Sequence, residues 1–143
     1  MSRLPFLRCL LVIVIWLFSL IPSAASETAT SLLERAQALA WLDNFTEAGP
    51  LFAEAEKLFV ASGDERNALY ARIGRVRFES ERMPYGEVSE FFAAQLANPV
   101  VASDPPLKLW CLAAQGYTDL QIAPLSAKKA WEELMDVAQE LGE

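Results

Sequence analysis

Two stretches of the chain lie 79 residues apart and match without a gap: Glu47–Asp64, "EAGPLFAEAEKLFVASGD", and Ser126–Glu143, "SAKKAWEELMDVAQELGE". The matched pairs are Ala48 with Ala127, Phe52 with Trp131, Glu54 with Glu133, Leu58 with Val137 and Gly63 with Gly142. In both stretches apolar residues recur three and four positions apart, which predicts an amphipathic helix that buries one face. The repetition therefore predicts that one helical unit occurs more than once.

A weaker copy lies between the two stretches. The segment "EVSEFFAAQLAN" places Val88 on Ala48 and Phe92 on Phe52 with a shift of 40 residues. A small residue lets two helix backbones approach, and an aromatic residue one turn later fills the space beside it. A single helical hairpin leaves an apolar face exposed, so neighbouring hairpins must stack to bury it.

The same periodicity predicts six helices and no strands between residue 29 and the end of the chain. Gly63 is expected to end the second helix in a left-handed conformation, and Asp64 and Asp104 are expected to cap the helices that follow them. The segment 98–106 and the residues Met83–Gly86 are expected to be loops. The predicted helices are Ala29–Leu42, Glu47–Ala61, Glu65–Ser80, Glu87–Ala97, Pro105–Leu120 and Ser126–Leu141.

These spacings resemble the tetratricopeptide repeat family, whose pattern is an aromatic residue, Leu-Gly and Tyr on the first helix, then Ala and Phe on the second. The first-helix spacing is carried in the third unit by Trp110, Ala113, Ala114 and Tyr117, and in the second unit by Tyr70, Ile73 and Gly74, with Arg77 where Tyr is expected. The second-helix spacing is clear as Ala48/Phe52/Ala55 and Ala127/Trp131, and degenerate as Val88/Phe92/Gln95. The first helix of the first unit matches least well, and the period is longer than that of most members.

The resemblance implies an all-α fold of three stacked antiparallel hairpins in a right-handed superhelix that is open at its C-terminal end. The units would be residues 29–64, 65–103 and 104–143; an unrelated helical bundle is the alternative. The first helices would line a concave groove that binds a protein or peptide by polar contacts around an aromatic anchor, although Trp41 equally fits a core position. The groove positions implied by register are Gln37, Trp41, Arg75, Phe78, Glu79, Gln115, Thr118 and Asp119.

Residues 1–25 have the features of an export signal. Two arginines precede an apolar run from Leu10 to Ile21, and Pro22 ends the run before three small residues. The run is shorter than the roughly 20 residues of a bilayer span, so a cleaved signal peptide is expected, with an uncleaved signal anchor as the alternative. Residues 26–143 would then form a helical repeat domain in the periplasm or outside the cell of a bacterium.

The charge of the chain argues against nucleic acid and anionic lipid as partners. The net charge is −7, and removal of residues 1–25 would take away two arginines and no acid, which leaves −9. Only Cys111 would remain as a thiol, and its helical flanks predict a buried, unreactive side chain. No membrane contact is expected beyond the N-terminal segment.

The chain lacks the residues and sequence motifs on which most catalytic sites depend. The chain has no histidine, no glycine-rich phosphate loop and no paired cysteine motif, so neither a metal, a cofactor nor enzymatic activity is predicted. Carboxylate pairs such as Glu54/Glu56, Glu79/Glu81 and Glu132/Glu133 are expected to lie on solvated helix faces. A carboxylate-based glycosidase is the enzymatic alternative.

The third predicted helix concentrates positive charge in an acidic chain. Its arginines allow two interpretations: ion pairs with Glu65, Glu79 and Glu81 three or four residues away, or a site for an anion or carboxylate in the groove. The arginines are Arg66, Arg72, Arg75, Arg77 and Arg82.

The sequence therefore predicts an exported helical-repeat module that binds a protein partner. Because Gly142-Glu143 matches Gly63-Asp64, where a new helix opens, the chain is expected to continue into a longer protein or to self-associate through its last helix. The alternative function is the sensory or scaffolding front part of a larger exported or membrane-bound effector, such as a peptidase or a signalling kinase.

Overall fold

The computed structural model describes residues 27–142, except for the side chain of Glu81. This part of the chain consists of helices joined by short turns and contains no strand, so the predicted all-α class is confirmed. One turn of 3-10 helix, Ser80–Arg82, follows the third helix directly. The α-helices are α1 (Ala29–Trp41), α2 (Phe45–Ser62), α3 (Glu65–Glu79), α4 (Tyr85–Leu96), α5 (Pro99–Ala102), α6 (Pro105–Asp119) and α7 (Pro124–Leu141).

The helix ends follow the local capping chemistry. The Asp64 carboxylate accepts a hydrogen bond from the Asn67 N–H at 3.0 Å, and Asp104 accepts one from the Leu107 N–H at 2.9 Å. Gly63 ends α2 with φ 76°, a left-handed conformation in which a side chain is strained. These three positions agree with the sequence prediction.

Helix α2 begins earlier than expected. Its first residue is Phe45, two residues before the predicted start at Glu47, so Pro50 is the sixth residue of the helix. Proline has no N–H, which leaves the Thr46 carbonyl oxygen without its helical donor. Because Thr46 is exposed, water can satisfy that oxygen at modest cost.

Two segments predicted as loops contain helix. The segment 98–106 includes α5, whose start is capped by the Asn98 side chain accepting from the Val100 N–H at 2.9 Å. Four residues are too few to show a helical period, so the sequence pattern could not reveal this turn. Similarly, α4 begins at Tyr85, inside the predicted loop 83–86.

The core consists of clusters between successive helices. Ala36, Phe52 and Ala71 join α1, α2 and α3, and all three have no exposed surface. A second cluster joins α3, α4, α5 and α6, and a smaller one joins α6 to α7. The helices therefore bury their apolar faces mainly against neighbours in chain order.

The pairing of α3 with α4 departs from that order, because α4 packs more extensively on α6 than on α3. Val88 and Phe92 of α4 are fully buried in the same cluster as Ile73 and Val76 of α3. The matching position is alanine in α2 and α7 and valine in α4. Interhelical distance depends on the side chains at the contact, and valine is bulkier than alanine.

Two glycines mark the closest helix crossings. A Cβ atom on Gly74 of α3 would lie 2.6 Å from a ring carbon of Phe52 in α2. A Cβ atom on Gly116 of α6 would lie 2.6 Å from a ring carbon of Trp131 in α7. An added side chain at either position would meet the aromatic ring, so the ring would have to shift to admit it.

Between residues 27 and 142, no helix combines the length and the apolar character that crossing a bilayer requires. The predicted export signal, residues 1–25, lies outside the described residues.

Candidate functional site

A groove of about 560 Å³ lies where three helix connections meet, and we call it the Arg77 groove. It is lined from the α1–α2 turn, from the end of α3 and the start of α4, and from the end of α6. Its volume falls within the range of about 300–1,000 Å³ that is common for ligand sites. The lining residues are Asp43, Phe45, Arg77, Phe78, Ser80, Tyr85, Tyr117, Thr118 and Gln121.

The side chain of Arg77 is surrounded by aromatic rings. Its guanidinium carbon lies 4.6 Å from the ring centroid of Tyr117, 5.3 Å from that of Trp110 and 5.4 Å from that of Phe78. Contacts at these distances are attractive, because the ring faces carry negative potential. Burial lowers the pKa of Arg77 from its usual value, while Tyr117 and Asp43 act in the opposite direction.

The rings around Arg77 belong to a larger aromatic chain. Phe45 stacks on Phe78 with ring centroids 4.7 Å apart, and Phe78 stacks on Phe52 at 5.6 Å. Trp110 lies 6.3 Å from Phe52, stacks on Tyr70 at 5.3 Å, and donates its indole N–H to the Tyr70 carbonyl oxygen at 3.1 Å. This network fixes the orientation of the rings that hold Arg77.

The rim of the groove is apolar and accessible. Phe45, Tyr85 and Tyr117 keep 38%, 42% and 55% of their surface exposed. Trp41, at the end of α1, and Leu42, which follows it, are 90% and 74% exposed. Exposed apolar clusters of this kind are typical of interaction sites.

Two of the eight residues predicted for the groove line it. Phe78 forms part of the wall, and Thr118 is buried with its hydroxyl donating to the Ala114 carbonyl oxygen at 3.0 Å. Trp41, the last residue of α1, is nearly fully exposed, which rules out the core position. Gln37 is half-buried beside Tyr70.

The other four predicted residues lie outside the Arg77 groove. Arg75 donates to Glu56 of α2 at 2.8 Å and to Glu79 at 2.9 Å. Gln115 is half-buried and does not line the groove. Asp119 has no exposed surface and accepts hydrogen bonds from the hydroxyls of Ser89 and Ser126, each at 2.5 Å.

The remaining arginines pair mostly between helices. Arg66 donates to Asp104 at 2.8 Å and Arg72 donates to Glu56 at 2.6 Å. Among the described side chains, the only ion pair within α3 is that of Arg75 with Glu79; the predicted pairing with Glu81 concerns a side chain outside the described ones. Pairing thus explains three of these arginines, although the partners are mainly on other helices.

Sequence reasoning did not select Arg77, Phe45, Tyr85 or Tyr117 for the groove. The available signal was the departure at position 77, where the repeat pattern expects tyrosine and the chain has arginine. A half-buried cation is stabilised by aromatic rings or by an acid. The turn residues could not be found in this way, because they come together only through the packing of helices that are distant in the sequence.

A second cavity of about 420 Å³ lies between the α2–α3 junction and the end of α4. Its lining includes Arg72, whose guanidinium is already paired with Glu56. Within residues 27–142 no group of three or more His, Cys, Asp or Glu side chains is arranged to hold a metal. The Arg77 groove is therefore the better candidate site.

No protein-family model matches the chain, and neither curated proteins nor solved structures give a match.

Proposed function

We propose that the chain is an exported helical-repeat module that binds a protein partner in the Arg77 groove. The observation that carries the proposal is the combination, in one groove, of exposed aromatic side chains with a half-buried arginine. Interface centres are enriched in Tyr, Trp and Arg, which gain the most from being covered. The groove has the composition of such a centre.

The repeat architecture is supported by matching details at matching positions. Ala48 and Ala127 are 0% and 1% exposed, so both small residues lie at helix contacts. Gly63 and Gly142 both end their helices in the left-handed conformation, with φ of 76° and 78°. We take residues 29–64, 65–103 and 104–143 as three stacked hairpins, the second of them opened by Val88 and Phe92.

Binding is favoured over catalysis by the acids at the site. Among the described residues that line the Arg77 groove, Asp43 alone carries a carboxylate. Hydrolysis of a glycoside requires two facing carboxylates at a defined separation. The groove offers contact surface and one cation, which suits recognition. We further propose that the predicted export signal, residues 1–25, directs the chain to the periplasm or to the outside of the cell.

The proposal is tested by capture of a partner with groove variants and a matched control. The full chain is immobilised, captured proteins are identified by mass spectrometry, and the best candidate is purified and its affinity measured. Tyr117→Asp and Tyr85→Asp place a charge on the rim and are expected to abolish binding. Val60→Asp changes an equally accessible apolar residue, 57% exposed, away from the groove and is expected to bind normally.

The opposite pattern contradicts the proposal. If the purified partner binds both tyrosine variants with unchanged affinity, the Arg77 groove is not the binding surface. Circular dichroism of each variant is recorded first, so that a loss of binding is compared only among folded proteins.

A further inference from the structure

Arg77 differs from the other described arginines that pack between helices. Arg66, Arg72 and Arg75 each donate to a carboxylate at 2.6 to 2.8 Å. Among the described side chains, no carboxylate lies within ion-pair distance of Arg77, which contacts three aromatic rings instead. The guanidinium carries five N–H donors, and attraction to ring faces does not satisfy their hydrogen bonding. A partner acid can therefore reach donors that the rings leave free.

We propose that the Arg77 groove recognises a glutamate or aspartate side chain of the partner, flanked in the partner's sequence by apolar side chains. This inference rests on the proposed function and names the chemistry of the partner segment. Carboxylates form short, charge-assisted hydrogen bonds with guanidinium groups, often through two parallel N–H donors. The apolar rim at Phe45, Tyr85 and Tyr117 covers the residues beside the acid.

A chain terminus is the other source of a carboxylate that could enter the groove. A terminal carboxylate is usually captured by several converging backbone N–H groups. Here the N–H groups of Asp43 and Asn44 already donate to Ala40 and Leu39 at 3.1 and 2.9 Å. At the α6 end, the Gln121 N–H donates to the Thr118 carbonyl oxygen at 3.2 Å. The starts of α2 and α4, at Phe45 and Tyr85, have no side-chain cap, so their first N–H groups stay available to a carboxylate of either kind. Arg77 is the cation among the lining residues, and its two-donor contact suits a side-chain carboxylate.

Asp43 modulates this site. It lines the groove without reaching ion-pair distance from Arg77, and its negative charge opposes the entry of an acid. Its φ of 56° lies in the left-handed region, where asparagine is the best-tolerated replacement with a side chain. Asp43→Asn therefore removes the charge while keeping the turn, and it is expected to strengthen binding of an acidic segment.

Arg77 occupies a position at which the repeat pattern has tyrosine. The proposed acid site therefore depends on a residue that is particular to this chain. The acidic net charge of the chain repels acids at long range, so selection for an acid must come from the local contact with Arg77. This makes the discrimination depend on a single residue, which a substitution can remove.

The test uses a blocked, fluorescently labelled peptide, acetyl-Gly-Leu-Phe-Glu-Leu-Phe-Gly-amide, and its twin with glutamine in place of glutamate. Binding to the full chain is followed by fluorescence anisotropy. The glutamate peptide is expected to bind about ten-fold or more tightly than its twin, the effect of one charge-assisted contact. Arg77→Gln is expected to abolish this preference, and Asp43→Asn to increase it. Arg75→Gln, which changes an arginine outside the groove, is expected to preserve it.

A third peptide separates the two sources of carboxylate: it has glutamine in the middle and a free C-terminal carboxylate. Tighter binding of this peptide than of the blocked glutamate peptide overturns the inference in favour of a chain terminus. Arg77→Lys keeps the charge but loses the planar fork, and is expected to retain only part of the preference. It replaces Arg77→Gln if circular dichroism shows that the glutamine variant is unfolded.

Two further outcomes also overturn the inference. Equal binding of the glutamate and glutamine peptides shows that the groove selects only the apolar residues of the peptide. The proposed function then stands if Tyr117→Asp still abolishes binding. If no peptide binds, acid recognition is rejected, and the proposed function is judged separately by the purified partner and the rim variants. The two proposals can therefore fail independently.

Discussion

Phe52 in α2 and Trp131 in α7 occupy matching positions in the two aligned stretches, yet they pack in opposite directions along the chain. Phe52 covers Gly74 in α3, the helix that follows its own, whereas Trp131 covers Gly116 in α6, the helix that precedes its own. The small-then-aromatic spacing therefore specifies a close helix crossing. It does not specify which neighbouring helix takes part.

The two crossings also differ in depth. Phe52 has no exposed surface and stacks within the aromatic chain, with Phe78 and Trp110 at 5.6 and 6.3 Å. Trp131 is partly exposed and meets Tyr117 edge-on at 5.3 Å. A buried ring has no room to move when its neighbour changes, whereas a ring at the surface can turn toward solvent. Equivalent substitutions at the two crossings should therefore have unequal costs.

Replacement of Phe52 and Trp131 by alanine is expected to have the largest effect on the free energy of unfolding. Phe52→Ala leaves a cavity between α2 and α3 and is expected to lower the free energy of unfolding by about 3–5 kcal/mol. Trp131→Ala is expected to cost clearly less, because part of the indole is already in water. Urea unfolding followed by circular dichroism measures both. An equal or larger loss for Trp131→Ala would show that the two crossings contribute alike.

Substitution of the two glycines gives the next largest effect, and its sign is informative. Alanine raises intrinsic helix stability by about 0.8–1.0 kcal/mol relative to glycine. At Gly74 overpacking against the immobile Phe52 is expected to outweigh that gain and to destabilise the chain by about 1–3 kcal/mol. At Gly116 the partly exposed Trp131 can shift, so Gly116→Ala is expected to be nearly neutral. Thermal melts of both variants test the difference, and a stabilised Gly74→Ala would contradict it.

The sequence predicted the helices well because their signals are local. Periodicity, the acids at Asp64 and Asp104 and the glycine at Gly63 act within one or two turns. The start of α2 was predicted two residues too late, because a proline inside a helix gives no periodic signal. The short helix α5 was predicted as a loop, because four residues are too few to show a helical period. Local sequence signals thus predict that a helix is present more reliably than they predict its first and last residues.

The candidate site was predicted only in part, because it depends on how helices that are distant in the sequence pack together. Phe78 and Thr118 were placed in the groove by register along their own helices. Arg75 and Asp119 were assigned in the same way. Their side chains instead bind Glu56 and Ser89 of other helices and do not line the groove. Contacts between distant parts of the chain cannot be read from a spacing of three or four.

Replacement of the acid that joins α2 to α3 gives a smaller, pH-dependent effect. Burial raises the pKa of Glu56, but hydrogen bonds from Arg75 and Arg72 outweigh burial and hold it below its ordinary value of 4.5. The stabilisation is therefore complete above pH 4.5 and is lost as the pH falls below that value. Glu56→Gln is expected to cost about 1 kcal/mol at pH 7 and to flatten the acid limb of the stability profile.

The matched control lies at the other crossing. Glu133 of α7 pairs with Lys108 of α6 at 2.6 Å, and its side chain is about half exposed. Exposed ion pairs contribute little, so Glu133→Gln is expected to change the free energy of unfolding by at most about 0.5 kcal/mol. Chemical unfolding at pH 3, 5 and 7 compares the two variants. A larger effect for Glu133→Gln would place the stronger pair in the surface crossing.

The smallest expected effect is a change in the alkylation rate of Cys111, which is measured without substituting that residue. Cys111 is fully buried in the cluster that also contains Ile73, and burial raises the pKa of its thiol to about 12. At pH 8 only about one thiol in ten thousand would be ionised, so alkylation must proceed through opening of the core. Gly74→Ala is expected to speed alkylation of the folded protein several-fold, and Gly116→Ala to leave the rate unchanged. Equal acceleration would mean that strain at either crossing opens the same part of the core. That result would remove the distinction between the buried and the surface crossing, even if the stabilities differed.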